Sequence, residues 1–301
     1  MRRVGHNRTA VVVISLIVLV VALVVGVRLA TSGSEEPAAD TTPSTSPTPT
    51  PSSAQTTDVV VPVYFLGASA AGQRLFRTSQ RYEAPADTAT SVEGRLQAAV
   101  AGAVAGDSTD SSRTSAFPDE TQAKVTRENG DVTVDLTGTD LEASGDSGTP
   151  EAGALALQSV VWTVDAVLGE DTPVTFTVGG AAVDSVLGAD TSTAVTKGDE
   201  LSTLGLVQVD SPGPDAVSSP FTVSGRAAAN EAALTWRLES QDGSVVQQGT
   251  ATTQECCTFS PYTFEVTAPP GRYTLSVSDG DASGGGEGGG PTTDSRTVTV
   301  S

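Results

Sequence analysis

Cys256 and Cys257 are the chain's only cysteines, and they are neighbours. An ordinary disulfide prefers Cα separations of about 4.4–6.8 Å, whereas consecutive residues sit near 3.8 Å. Three states are therefore open to the pair: a strained vicinal disulfide, two reduced buried thiols, or an intermolecular bridge or redox contact. Zinc needs four ligands, and two adjacent thiols supply half of them. The sole histidine is His6, which removes imidazole from any mechanism elsewhere in the chain. Asp279, Asp281 and Glu287 sit in a Gly-rich loop that partly resembles a calcium loop, but Gly290 stands where an EF-hand needs its bidentate acid. That loop reads instead as an acidic connection between the last two strands. With 36 acidic residues, chance carboxylate pairs are expected, and no motif singles one out for glycosidase chemistry. No catalytic residue, metal or cofactor is assigned.

The wider composition points the same way. The 301 residues carry 16 Lys+Arg against 36 Asp+Glu, a net charge of −20. Nucleic-acid binding needs basic surface to displace counterions from phosphate, so it is excluded as a function class. The length suits about two domains. Hydrophobic residues make up 38% and aromatics 4%, with 31 Gly and 17 Pro, which places part of the chain in linkers. Lys124 and Lys197 are the only lysines; the preference for Arg, Ala, Val, Thr and Asp suggests a GC-rich, actinobacterial genome.

Charge is also unevenly placed. Thr9 through Val27 carries no charge and is dominated by Val, Leu and Ile. At about 1.5 Å per residue it reaches across most of a hydrocarbon core of roughly 30 Å. Arg2, Arg3 and Arg8 precede it, so the positive-inside rule puts the N-terminus in the cytoplasm and the rest outside. A cleaved signal peptide is the rival reading, with Ala30-Thr31-Ser32 as a weak cleavage site. Beyond it, Pro37, Pro43, Pro47, Pro49 and Pro51 punctuate a Ser/Thr-rich stretch without large apolar residues. Such a segment buries too little to offset its ordering entropy and is expected to be a disordered, stiff stalk. The expected layout is a cytoplasmic tail over 1–8, a transmembrane helix over 9–28, a linker over 29–57, and globular regions over 58–205 and 206–301.

The first globular region opens on Val59 to Leu66, a continuous apolar run that reads as a buried strand, with Gln73 to Tyr82 able to pair back. Ser91 heads an amphipathic helix bearing Val92, Leu96, Ala99, Val100 and Ala103. Asn129-Gly130 between alternating runs is the strongest short hairpin signal, because a type I′ turn needs positive φ at both positions. It places Val132, Val134 and Leu136 on one face. Pro150 starts a second helix carrying Leu157, Val160, Val161, Val164 and Leu168. Val174 to Val178 forms a last strand. This order predicts an α+β domain with two helices on one face of a mixed sheet. The leading strand, the FPDET segment from Phe117, the NGDVTVDLTG hairpin and the ALALQSVVWTV helix together resemble the GerMN domain. That resemblance implies a non-catalytic, extracytoplasmic module, and no site residue is carried over from it.

In the second region, short period-2 runs alternate with turn signals: Leu206–Val209, Phe221–Gly225, Leu234–Glu239, Val245–Ala251, Tyr262–Val266, Tyr273–Val277 and Arg296–Val300. Seven such strands predict an immunoglobulin-like β-sandwich. Trp162, Phe221 and Trp236 belong to cores, and Tyr273 is placed as a tyrosine corner bonding backbone. SPFTVSGRA from Ser219, TWRL from Thr235, PPGRYTLSV from Pro269 and RTVTV from Arg296 resemble the immunoglobulin-like domain of bacterial spore germination proteins. Neither resemblance implies that the organism sporulates. Together they imply a non-enzymatic protein of the Gram-positive cell membrane. Its outer domains bind or scaffold other envelope proteins, or sense at the wall. The alternatives are a cell-wall glycan-binding module, or a regulator of a membrane sensor kinase or wall enzyme.

Overall fold

The computed structural model describes residues 55–141, 150–280 and 290–301. The expected tail, transmembrane segment and nearly all of the expected linker lie outside them, as does the acidic loop from Asp281 through Glu287. Residues Ser53–Ser301 form one compact unit.

The first module starts with a long antiparallel hairpin, β1 (Thr56–Ser69) and β2 (Gly72–Pro85), so the strand takes in the last two residues expected of the linker. Helix α1 (Val92–Ala105) is capped by Ser91, whose side chain accepts from the Gly94 N–H, and ends at Gly106 in the left-handed region. The Asn129-Gly130 turn has positive φ at both residues and joins β3 (Gln122–Glu128) to β4 (Asp131–Thr137). Helix α2 (Pro150–Leu168) then crosses over to β5 (Val174–Val178), which pairs parallel to β4. β6 (Ala181–Ala182), the small pair β7 (Ser185–Val186) and β8 (Ala189–Asp190), and the short helix α3 (Glu200–Thr203) complete the module.

One expectation is corrected here. β1 and β2 do not join the sheet of β3, β4, β5 and β6; they form a separate two-stranded sheet. Leu96, Val100 and Val104 of α1 pack with Val132, Val134 and Leu136 of β4, while Ala99 and Ala103 pack with Val59, Val61, Val63 and Phe65 of β1. The other face of β1, with Tyr64 and Leu66, packs with Trp162 and Leu204, so β1 is covered on both faces and its run is apolar without alternation. The alanines let the hairpin approach closely, and so does Gly102, where an added Cβ would lie 2.2 Å from the Tyr82 ring. By length and composition alone, Glu151–Leu168 passes as a membrane span, yet its apolar residues are spent in these clusters.

Among the described residues the second module contains seven strands: β9 (Val207–Ser211), β10 (Phe221–Ala227), β11 (Ala233–Ser240), β12 (Val245–Thr252), β13 (Ser260–Val266), β14 (Gly271–Asp279) and β15 (Thr293–Val300). They form two antiparallel sheets, ordered β13-β10-β9 and β12-β11-β14-β15. Phe221, Trp236, Tyr262, Leu275 and Val298 fill the space between them. Trp236 stacks on Phe264 with centroids 4.8 Å apart. Gly249 is required beside it, since a Cβ there would sit 2.8 Å from the indole.

The Tyr273 hydroxyl donates to the Pro269 carbonyl at 2.8 Å, closing the β13–β14 corner. Tyr273→Phe should lower the unfolding free energy by about 1–2 kcal/mol, read by urea unfolding, because the carbonyl loses its partner.

Candidate functional site

The polar chemistry of the described chain concentrates on the seam between the two modules. Arg113, in the connection after α1, donates from Nη2 to Asp294 Oδ1 of β15 at 2.7 Å. The two side chains are 5% and 2% exposed. Desolvating such a pair costs several kcal/mol per ion, so the remaining lone pairs and donors need partners. Asp294 Oδ2 accepts from the Val209 N–H at 2.8 Å, and the Arg113 guanidinium lies 3.8 Å over the Phe76 ring. Burial pushes the Asp294 carboxyl above its ordinary value, while Arg296, Arg113 and the Val209 amide pull it back.

Arg296, two residues on, is also buried, and burial lowers its pKa. Its guanidinium donates to the carbonyls of Arg77 (3.0 Å) and Val209, and more distantly to those of Asp210 and Pro212. Gln208 completes the bridge. Its Oε1 accepts from the Arg77 N–H at 2.8 Å, and its Nε2 donates to the carbonyls of Leu75 and Gly205. Thus β9 is tied to β2 through side chains. Ion pairs Arg77–Asp210, Arg81–Asp215 and Arg226–Glu200 lie around this core at more exposed positions.

Two cavities open along the seam. One, of about 380 Å³, is lined by Tyr64, Trp162, Asp165, Lys197, Glu200 and Arg226. Tyr64 and Trp162 rings are tilted with centroids 5.6 Å apart, and Lys197 Nζ lies 4.9 Å from the indole centroid. Asp165 Oδ1 accepts from the Thr172 N–H at 2.9 Å, and its Oδ2 lies 3.8 Å from Lys197 Nζ. Burial raises Asp165, opposed by the Thr172 amide and Lys197. Burial also pushes the Tyr64 phenol up to about 12, so it stays protonated as a hydrogen-bonding group. The Trp162 Nε1 has no hydrogen-bond partner among the described residues. The second cavity, about 210 Å³, is walled by hydroxyls including Thr78, Ser79, Thr109 and Thr297, with Arg272 and Asp110 at its sides. Such sites can hold polar groups by hydrogen bonds and balanced charge. Among the described residues, no group of three or more His, Cys, Asp or Glu is placed to hold a metal.

Comparison with known families resolves the two modules. Residues 62–184 match the family described as sporulation and spore germination. Residues 206–286 match the immunoglobulin-like domain of bacterial spore germination. The chain carries a germination domain followed by a germination-type immunoglobulin-like domain. No curated protein sequence matches it. The pairing is that of a sporulation- and germination-associated protein, and neither family is known for enzymes.

Both matches stop short of residues that join the modules. Glu200 follows the germination match, and Asp294 and Arg296 follow the immunoglobulin-like one. The structure buries Trp162, Phe221, Trp236 and Tyr273. Trp162 sits in the germination domain with a second role, as a wall of the seam cavity. Cys256 and Cys257 are free and exposed, so the buried-thiol alternative does not hold: their loop lies outside the sandwich rather than in its core. Asp279, the described start of the calcium-like loop, accepts from the Thr292 N–H at 2.6 Å and so closes the β14–β15 connection. Sequence reasoning missed Arg113, Gln208, Asp294 and Arg296. A signal was present for Arg296, because it alternates in phase with the inward-facing Val298 and Val300.

Each module contains one tryptophan, which gives two local reporters. Asp294→Asn leaves Arg113 buried without a carboxylate and should lower stability by about 3–5 kcal/mol. In single-tryptophan variants (W162F or W236F) the wild-type background should unfold with coincident urea transitions, and the D294N background should show them separated. A spectrophotometric titration comparing wild type with Tyr64→Phe should reveal a phenol ionising near pH 12, above the ordinary value of 10.0.

Proposed function

We propose that this germination-associated chain is a non-enzymatic, membrane-anchored scaffold of the cell envelope. The Thr9–Val27 segment is the anchor, with the N-terminus in the cytoplasm, and the Pro-rich stretch is the stalk. The two domains are held outside and recognise other envelope proteins. One observation carries the scaffold reading: the buried Arg113–Asp294 pair and the Arg296 and Gln208 bridges make one body of two modules. Domains joined by a short exposed linker usually move independently. A buried polar seam holds them in one orientation, so a partner contacting both pays no ordering entropy for the second contact. The strong negative charge favours solubility and disfavours polyanions.

A glycan reading draws support from the hydroxyl-walled cavity with its flanking Arg272 and Asp110. Crosslinking in intact membranes, followed by purification of the full chain, separates the readings. The scaffold predicts a defined set of crosslinked envelope proteins that falls at least several-fold for Asp294→Asn at equal protein level. Equal recovery with both forms would overturn the rigid-seam mechanism. Co-sedimentation with purified wall, abolished by Arg272→Ala, would instead favour glycan binding.

A further inference from the structure

The loop between β12 and β13 runs across the end of the sandwich and carries both cysteines. It is pinned at several points. The Thr253 N–H donates to the Ala232 carbonyl at 3.0 Å, and the Thr253 hydroxyl to the Glu255 carbonyl at 2.7 Å. The Glu255 N–H donates to Ser260 Oγ at 3.2 Å, and the Cys257 N–H to the Ala229 carbonyl at 3.2 Å. Within this frame Cys257 takes φ 67°, the left-handed region that a residue with a β-carbon rarely adopts. Both thiols are exposed and free.

We propose that Cys256 and Cys257 form a reversible dithiol–disulfide site that exchanges with small-molecule disulfides. A pinned turn holds two adjacent sulfurs at the surface, where a small oxidant reaches both. A ring closed between neighbours is strained, because their Cα atoms lie near 3.8 Å, below the usual range of about 4.4–6.8 Å, and strained disulfides are the readily reduced ones. This makes the closed form reversible rather than structural. The neighbouring Cys256 raises the Cys257 thiol, and because both sulfurs are exposed either can make the first attack.

In the first step the thiolate of one cysteine attacks one sulfur of the small disulfide, breaks its S–S bond and releases one small thiol. A mixed disulfide remains on that cysteine. Its neighbour then gives its proton to solvent, attacks the cysteine sulfur of the mixed disulfide and expels the second small thiol. Two protein thiols are oxidised to one disulfide, and one small disulfide is reduced to two thiols.

The test treats the reduced full chain with bis(2-hydroxyethyl) disulfide and follows intact mass and free-thiol titre. Wild type should lose both thiols, end lighter by two hydrogen atoms without an adduct, and recover both thiols with dithiothreitol. Cys257→Ser should stop at a stable mixed disulfide on Cys256. Cys256→Ser should likewise stop at a stable mixed disulfide, on Cys257. Accumulation of one or two adducts on wild type, or disulfide-linked dimers in place of the lighter monomer, would overturn the proposal. Both positions are exposed, so serine at either leaves folding intact.

Discussion

The contact between Arg113 and Asp294 is the constraint on which the rest of the two-module body depends. A carboxylate and a guanidinium removed from water lose more solvation than their mutual attraction returns unless every remaining polar atom is occupied. The surrounding structure offsets part of that loss, although Arg296 Nε beside the pair is buried without a partner among the described residues. Asp294 uses its second oxygen on the Val209 amide, and the flat face of Arg113 rests on Phe76. Gly67 is part of the same fit, since a Cβ there would lie 2.4 Å from Arg113 Nη1. The pair therefore dictates where β2, β9 and β15 can lie.

From that pair the seam extends outward by graded exposure. Both Gln208 and Arg296 are buried; Gln208 of β9 bonds to backbone of the first module, and Arg296 to backbone of both. Arg81–Asp215 and Arg226–Glu200 are far more exposed and contribute little each, but they fix the rim in register. β9 would otherwise present unpaired backbone at the edge of its sheet, an invitation to pairing with other chains. Side chains from β15 and the backbone of β2 cover it instead. The cavities follow from the same arrangement, because a polar seam between two convex modules does not close everywhere. The larger one keeps Tyr64 and Trp162 against Lys197 and Asp165, an aromatic floor with balanced charge.

Local signals in the sequence carried through to the elements they specify. Asn129-Gly130 encodes positive φ at two consecutive residues, and the hairpin forms there. Ser91 and Gly106 encode the ends of α1. The seven period-2 runs become the seven strands of the sandwich, and the spacing of Tyr273 from Pro269 is that of a corner bond. The segment from Val183 to Leu204 carries no legible signal, because its two-residue strands and single-turn helix are shorter than any periodicity. The leading hairpin is legible in the sequence, but the sheet it belongs to is not. Hydrophobicity reports that a strand is covered on both faces without saying by which elements, and a helix layer satisfies β1 as well as neighbouring strands would.

By itself, the sequence determined the two modules, their order, their core residues and the absence of imidazole beyond His6, because those properties are written in composition and short-range spacing. The core phase of Asp294 becomes visible only once β15 is seen to begin at Thr293. Tertiary structure alone decided what Asp294 and Arg296 meet. Arg113 and Asp294 are 181 positions apart, and Arg77 and Arg296 are 219 apart. No local pattern encodes a partner at such separations. The pairing emerges only after both modules fold and a buried charge on one requires its complement on the other.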